Sequence, residues 1–221
     1  MAFNQIALPA NTPAIVRDVI RGAVEPYLSD VHAMLMLPLD GSLPHVGCNM
    51  AIAHALFAAI SGVSAVLCST EGYSGQVFQD YLIHFYPWDA EPTRENTVSG
   101  AEAARILYED YRNPPTHATG TPVFSVDRGQ RRQFQPRPYT LAVRRVGFPD
   151  RAHRELLEEQ ILSLESEPVR PGWLPVTIAA DSSSRILTVE TLYWGFRASV
   201  QRLCGDATKM KAAAELFHRT S

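Results

Sequence analysis

Between Asp40 and Glu71 the chain carries no aspartate, glutamate, lysine or arginine. So long a stretch without charge fits two placements, a helix surrounded by other helices or one that crosses a bilayer. Its centre, residues 45–68, approaches membrane-spanning length. However, it contains Asn49, His54, Ser61 and Ser64, and six of its apolar positions are alanine, which gains little from lipid. It is therefore read as the central helix of a bundle, with no membrane partner. Gly47, Ala51, Ala55 and Ala59 recur there at every fourth position, a row of small side chains that lets a second helix approach closely. Packing inside the bundle is the expected use of that row, and a contact between two copies is the alternative.

Other helices are signalled around this one. Thr12-Pro13 marks a helix start, threonine as N-cap and proline at the first position. Val16, Val19, Ile20, Ala23, Tyr27, Val31 and Met34 follow at helical spacing. Pro26 is expected to kink this segment, and Pro38 and Gly41 to close it. Residues 77–86, with Phe78, Tyr81, Leu82 and Phe85, read as a shorter helix stopped by Pro87. Ser99 with Glu102 three residues on forms a capping box. Ala104, Leu107, Tyr108 and Tyr111 then give a helix over 101–112 its apolar face, until Pro114 and Pro115 stop it.

Composition changes after Gly120. Residues 128–138 form a basic, helix-poor loop, and 139–146 alternate like a strand. Pro149-Asp150 caps a helix carrying Leu157, Ile161 and Leu164, and residues 176–180 and 186–189 suggest a β-hairpin turning over Asp181 to Ser184. A closing helix starts near Leu192, breaks near Gly205-Asp206 and runs to Phe217. The predicted architecture is mainly α, a single domain over 1–221. Its helical core covers about 12–117 and 191–219, with a small β-containing excursion over about 121–190 before the last helix.

A formal charge of -3 excludes a globally basic nucleic-acid binder, so any RNA contact must come from a local patch. Cys48, Cys68 and Cys204 are odd in number and far apart, a spacing that supports neither a disulfide framework nor a zinc site. His54 and His84 have no carboxylate or cysteine at ligand spacing and are expected to be satisfied core histidines. No metal or cofactor is expected. Residues 1–10 lack the basic and apolar regions of a signal peptide, so a cytoplasmic location is the expectation.

The stretch that could carry chemistry is Tyr111-Arg112-Asn113-Pro114-Pro115-Thr116-His117, at a helix end. Arginine holds phosphate oxygens through a rigid fork of donors, and histidine moves protons near neutral pH. As a bare spacing the pair means little, since eighteen arginines and seven histidines give about 0.6 such matches by chance. Its place at a signalled helix terminus is what singles it out. Arg112 also lies three residues after Glu109, so it can complete a surface ion-pair row. Positive charge suits any helix C-terminus as well. Arg128, Arg131, Arg132 and Arg137, interleaved with Phe134 and Tyr139, offer phosphate contacts and stacking to RNA, or simply form a solvated loop.

Arginine, a polar residue directly after it, and a histidine four to six positions on, at a helix end in a mainly helical chain of this size, resemble the motif of the HEPN superfamily. Arg112, Asn113 and His117 match those three positions, while Pro115 departs from the commoner apolar residue. The resemblance covers about half the chain and leaves 121–190 outside it. It implies a bundle of four or five helices, usually a homodimer. Many members are metal-independent endoribonucleases of toxin or defence systems; others are inactive modules that bind nucleic acid or a protein such as an antitoxin. It also implies His117 as general acid or base, Arg112 on the phosphate and Asn113 orienting one of them.

Overall fold

The computed structural model describes residues 5–37, 48–68, 74–88, 98–112, 126–127, 130–131, 139–144, 175–178 and 183–220. The chain is mainly helical, as its periodicities predict. Helix α1 spans Ala14–Val19 and α2 Glu25–Leu35, joined without a loop by a π-helical turn, Ile20–Val24. The uncharged helix α3 is Asn49–Leu67, followed by α4, Ser74–Phe85. Helix α5, Gly100–Ile106, continues into a second π segment, Leu107–Arg112. Helices α6, Val189–Gly205, and α7, Ala207–Thr220, close the described chain. The expected helix around Leu157, Ile161 and Leu164 lies outside the described residues.

The first π turn has a local cause. Pro26 lacks an N–H, and its ring would strike the carbonyl four residues earlier in a regular helix. A wider turn placed just before it relieves that clash, and the Glu25 N–H donates to the Ile20 carbonyl, five residues back. The buried row therefore runs Val16, Ile20, Val24, Leu28, Val31 and Leu35. Val19, Ala23 and Tyr27, expected on the core face, turn toward the surface, where Tyr27 is exposed. At the start of α1, Pro13 is itself the N-cap, and the Thr12 hydroxyl makes no capping bond.

Helix α3 is the hub, packing on α2, α4, α6, α7 and a strand. It is the one described helix long and apolar enough to cross a membrane, but 44% of that window is buried against the rest of the protein. Ile52, Leu56, Phe57, Ile60, Val63 and Leu67 face inward. The small-residue row expected to pack inside the bundle lies instead along its edge: Ala51 is exposed, Ala55 and Ala59 are half-buried, and Gly47 lies outside the described residues. His54 is exposed and is no core histidine. Neither is His84, which is exposed with Nδ1 2.7 Å from the Asp80 carbonyl.

Polar pins lock α4 to α6. The hydroxyls of Tyr81 and Ser199 lie 2.6 Å apart in the core, and Tyr86 donates to the Thr191 carbonyl at 3.0 Å. Gly195 is required at their crossing, because a Cβ there would land on the Tyr86 ring. Residues 5–12 run along the bundle as an extended strap. Glu25 accepts the Ile6 N–H at 2.6 Å and is paired with Arg21. Arg17 donates to the Ala10 and Thr12 carbonyls, both at 3.2 Å, and Arg197 donates to the Gln5 carbonyl at 3.1 Å. The break after α6 is capped by Asp206, whose Oδ1 accepts the N–H groups of Thr208 and Lys209.

The described β structure falls in the excursion. Strands β1, Val126–Asp127, and β2, Gln130–Arg131, form a two-residue antiparallel ladder. A three-stranded sheet holds β3 (Thr140–Arg144), β4 (Val176–Ile178) and β5 (Ser184–Thr188) in the order β3-β5-β4. The expected hairpin is the antiparallel β4–β5 pair, with Val176 opposite Leu187. Strand β3 pairs parallel to β5, Thr140 opposite Ser184 through Arg144 opposite Thr188. β5 then runs directly into α6.

Candidate functional site

The helix that carries Arg112 begins as the sequence dictates. Ser99 is its N-cap, and its hydroxyl accepts the Glu102 N–H at 3.2 Å. The Glu102 carboxylate turns toward Arg105, which also pairs with Glu109, so these three form the ion-pair row on the exposed face. Hydrogen bonding from Arg105 holds the Glu102 carboxyl below its usual pKa.

Ala103, Ala104, Ile106, Leu107, Asp110 and Tyr111 form the inward face of the same helix. An aspartate in that row needs a partner, because burying an unpaired carboxylate is prohibitively costly. Asp110 is 6% exposed and ion-paired with Arg185 of β5. Tyr139, next to β3, donates to its two carboxylate oxygens at 3.0 and 3.3 Å, and the Arg185 guanidinium lies 3.8 Å from the Tyr139 ring centroid. Tyr111 adds a second clamp, with its hydroxyl 2.7 Å from the Arg185 carbonyl and 3.3 Å from that of Ala142. The last turn before the motif is thus fastened to both β3 and β5.

Arg112 follows directly, half-buried, with its guanidinium 5.3 Å from the Tyr108 ring centroid. Asn113 and His117 lie outside the described residues, as do Arg128, Arg132 and Arg137. Arg131 belongs to β2, opposite Val126, and its side chain lies outside the description. Among the described residues no group of three or more histidine, cysteine, aspartate or glutamate side chains could hold a metal ion. The described part of the site can therefore present one oriented guanidinium beside an aromatic ring, at the end of a tethered helix.

Sequence reading missed Asp110, Arg185 and the anchoring role of Tyr139. One signal was present: Asp110 falls at core spacing from Ile106 and Leu107, which predicts a buried acid in need of a cation. Nothing in the sequence selects Arg185, 75 residues away.

A second polar cluster lies under the strap. Arg197 is buried, its guanidinium 5.2 Å from the Trp194 ring centroid and 5.8 Å from that of Tyr193. Burial, reinforced by Arg197, lowers the pKa of neighbouring His32 to about 4, so its imidazole is neutral at pH 7. Near the ends of α3 and α6, burial raises the pKa values of the Cys68 and Cys204 thiols to about 11.

No family model, curated protein or solved structure matches this chain.

Proposed function

We propose that the chain is an HEPN-like protein that acts on RNA as a metal-independent endoribonuclease of toxin or defence type, working in the cytoplasm. The observation that supports this reading is the placement of Arg112. The two residues before it, Asp110 and Tyr111, are buried and fastened to the sheet, so its backbone is held while its half-buried guanidinium lies beside the Tyr108 ring. A pre-positioned cation of this kind stabilises charge that develops on a phosphate during transfer. A π segment at a helix end, here Leu107–Arg112, is a frequent accompaniment of functional sites.

In the proposed reaction the RNA 2′-oxygen attacks the adjacent phosphorus, the bond from phosphorus to the 5′-oxygen breaks, and a 2′,3′-cyclic phosphate remains. The 2′-hydroxyl loses its proton and the departing 5′-oxygen gains one. His117 performs one of these transfers as general acid or base, and the His117 of a second copy would perform the other. Asn113 orients the histidine or the phosphate. Arg128, Arg131, Arg132 and Arg137 supply phosphate contacts along the RNA.

The test is incubation with mixed RNA in chelator, comparing the native chain with His117→Ala and Arg112→Ala. Cleavage to cyclic-phosphate ends by the native chain, lost in both variants, is expected. Equal cleavage by all three, or none by any, removes the mechanism. The alternative is an inactive HEPN-like module that binds nucleic acid or a protein such as an antitoxin. It is favoured by the contact of Arg112 with Tyr108, which engages the guanidinium without any substrate.

A further inference from the structure

Tyr108 lies four positions before Arg112 on the second π segment, so the two share a face of the helix end. Its ring is half-buried and braced from behind. Phe78 of α4 stands 5.7 Å from it between centroids, and Phe78 in turn lies 6.4 Å from Phe57 of α3. At the start of α4, Gly75 is buried against the same ring, and a Cβ there would land on the Tyr108 phenol. Any side chain at position 75 would therefore push the ring aside. Helices α3 and α4 and the π segment together fix one aromatic face, and the Arg112 guanidinium carbon sits 5.3 Å from its centroid.

We infer that Tyr108 is a positioning residue, holding the Arg112 guanidinium in place for an RNA phosphate before any RNA binds. The inference rests on the reading that Arg112 meets an RNA phosphate, and it applies to cleavage and to binding without cleavage alike. An arginine side chain has many rotamers, and ordering it only on contact with a ligand weakens binding. A fixed ring that already carries the guanidinium removes that penalty. The ring attracts the cation through its negative face and takes none of its five N–H donors. Stacking on Tyr108 and a two-bonded grip on phosphate oxygens are therefore compatible. The work is divided within one turn: Asp110 and Tyr111 hold the backbone, and Tyr108 holds the side chain. Leucine at position 108 would fill much of the same space without offering an aromatic face, whereas phenylalanine would keep that face.

The test is a double-mutant cycle on RNA affinity, measured by filter binding with the full chain carrying His117→Ala so that bound RNA stays whole. In that background Tyr108→Leu should weaken binding about three- to tenfold, the range expected for ordering one long side chain. Tyr108→Phe, which keeps the ring, should stay within about twofold of the parent. With Arg112→Ala also present, Tyr108→Leu should have no further effect, because it acts only through the guanidinium. A ring that merely fills space would weaken both backgrounds alike; that result overturns the inference, as does an affinity that Tyr108→Leu leaves unchanged.

The Nε–Hε resonance of Arg112, assigned by its loss in Arg112→Ala, gives a second readout. The ring current should shift it upfield in the native chain and in Tyr108→Phe, and Tyr108→Leu should return it toward ordinary arginine. A resonance that Tyr108→Leu does not move overturns the inference too. If Tyr108→Leu fails to fold, Gly75→Ala takes its place, displacing the ring with neither Tyr108 nor Arg112 altered. A native chain that cuts no RNA while the cycle runs as expected counts against the ribonuclease reading alone. RNA binding with additive losses removes the positioning role alone, and no RNA binding by the parent or any variant removes both.

Discussion

The tether beneath Arg112 is the feature most open to quantitative attack. Arg185→Met leaves the Asp110 carboxylate without its guanidinium, and Asp110→Leu does the reverse. The two side chains keep only 16% and 6% of their surface in water. Removing one member of a buried pair costs about 3–5 kcal/mol, and the residual exposure of Arg185 places each single variant near 3 kcal/mol. Replacing both residues leaves no buried charge. The double variant should then lose about 3 kcal/mol in total, mainly through disrupted packing and the lost Tyr139–Asp110 hydrogen bonds. The coupling energy is accordingly about 3 kcal/mol, at the top of the range for residues in contact. Urea unfolding followed by far-UV circular dichroism measures all four corners of the cycle, and each single variant should melt about 6–12 °C lower. Losses that add to within about 0.5 kcal/mol would show that each charge is solvated on its own and that the pair does not fix the helix end.

Five further measurements bear on the rest of the molecule. Gly195→Ala drives a methyl into Tyr86 and disturbs its bond to Thr191, so a net loss of about 1–3 kcal/mol is expected after the helix-propensity gain. Gly22→Ala meets nothing within 4 Å and should gain up to about 1 kcal/mol in the same melting assay. The pKa of His32 is lowered to about 4 from 6.5, so the unfolded chain takes up a proton that the folded chain refuses. Its contribution is complete above pH 6.5, falls as pH drops toward 4 and is flat below; His32→Gln should remove about 1–3 kcal/mol of that slope. An aromatic disulfide reagent at pH 8 should label Cys48 promptly and reach buried Cys68 and Cys204 only on denaturation; prompt labelling of all three contradicts their burial. Finally, reversing charge at Arg131 and Arg132 should weaken RNA association and flatten its salt dependence, measured by filter binding; unchanged affinity removes that loop from the interface.

Helix existence was legible because it depends on local rules. Ser99 caps where its hydroxyl and spacing say it should, and Asp206 marks the break that Gly205 suggests. Which face each helix buries was less legible. Pro26 predicted a kink, but it is accommodated by an extra residue in the turn, which rotates Val19, Ala23 and Tyr27 out of the core. In α3 no charge marks the outer side, so His54 and the alanine row could not be placed by pattern alone. The β4–β5 hairpin was visible from its turn residues. The parallel partner of β3 was not, because alternation identifies a strand and says nothing of its neighbour. Arg112 was legible as a cation at a helix end, but its support from Asp110 and Arg185 depends on a contact between distant segments.

The strap described at the N-terminal side has a consequence for how the protein is made. Arg197 bonds to the Gln5 carbonyl across 192 positions of chain. At about 5–20 residues per second, ribosomal synthesis separates those two residues by roughly 10–40 s. Throughout that interval Glu25 and Arg21 can already hold Ile6, but the buried guanidinium that closes the other end does not yet exist. Until α6 emerges, the part of α3 that it packs against stays uncovered. Binding of a chaperone to ribosome-bound chains should persist until that helix clears the exit tunnel and fall once it does.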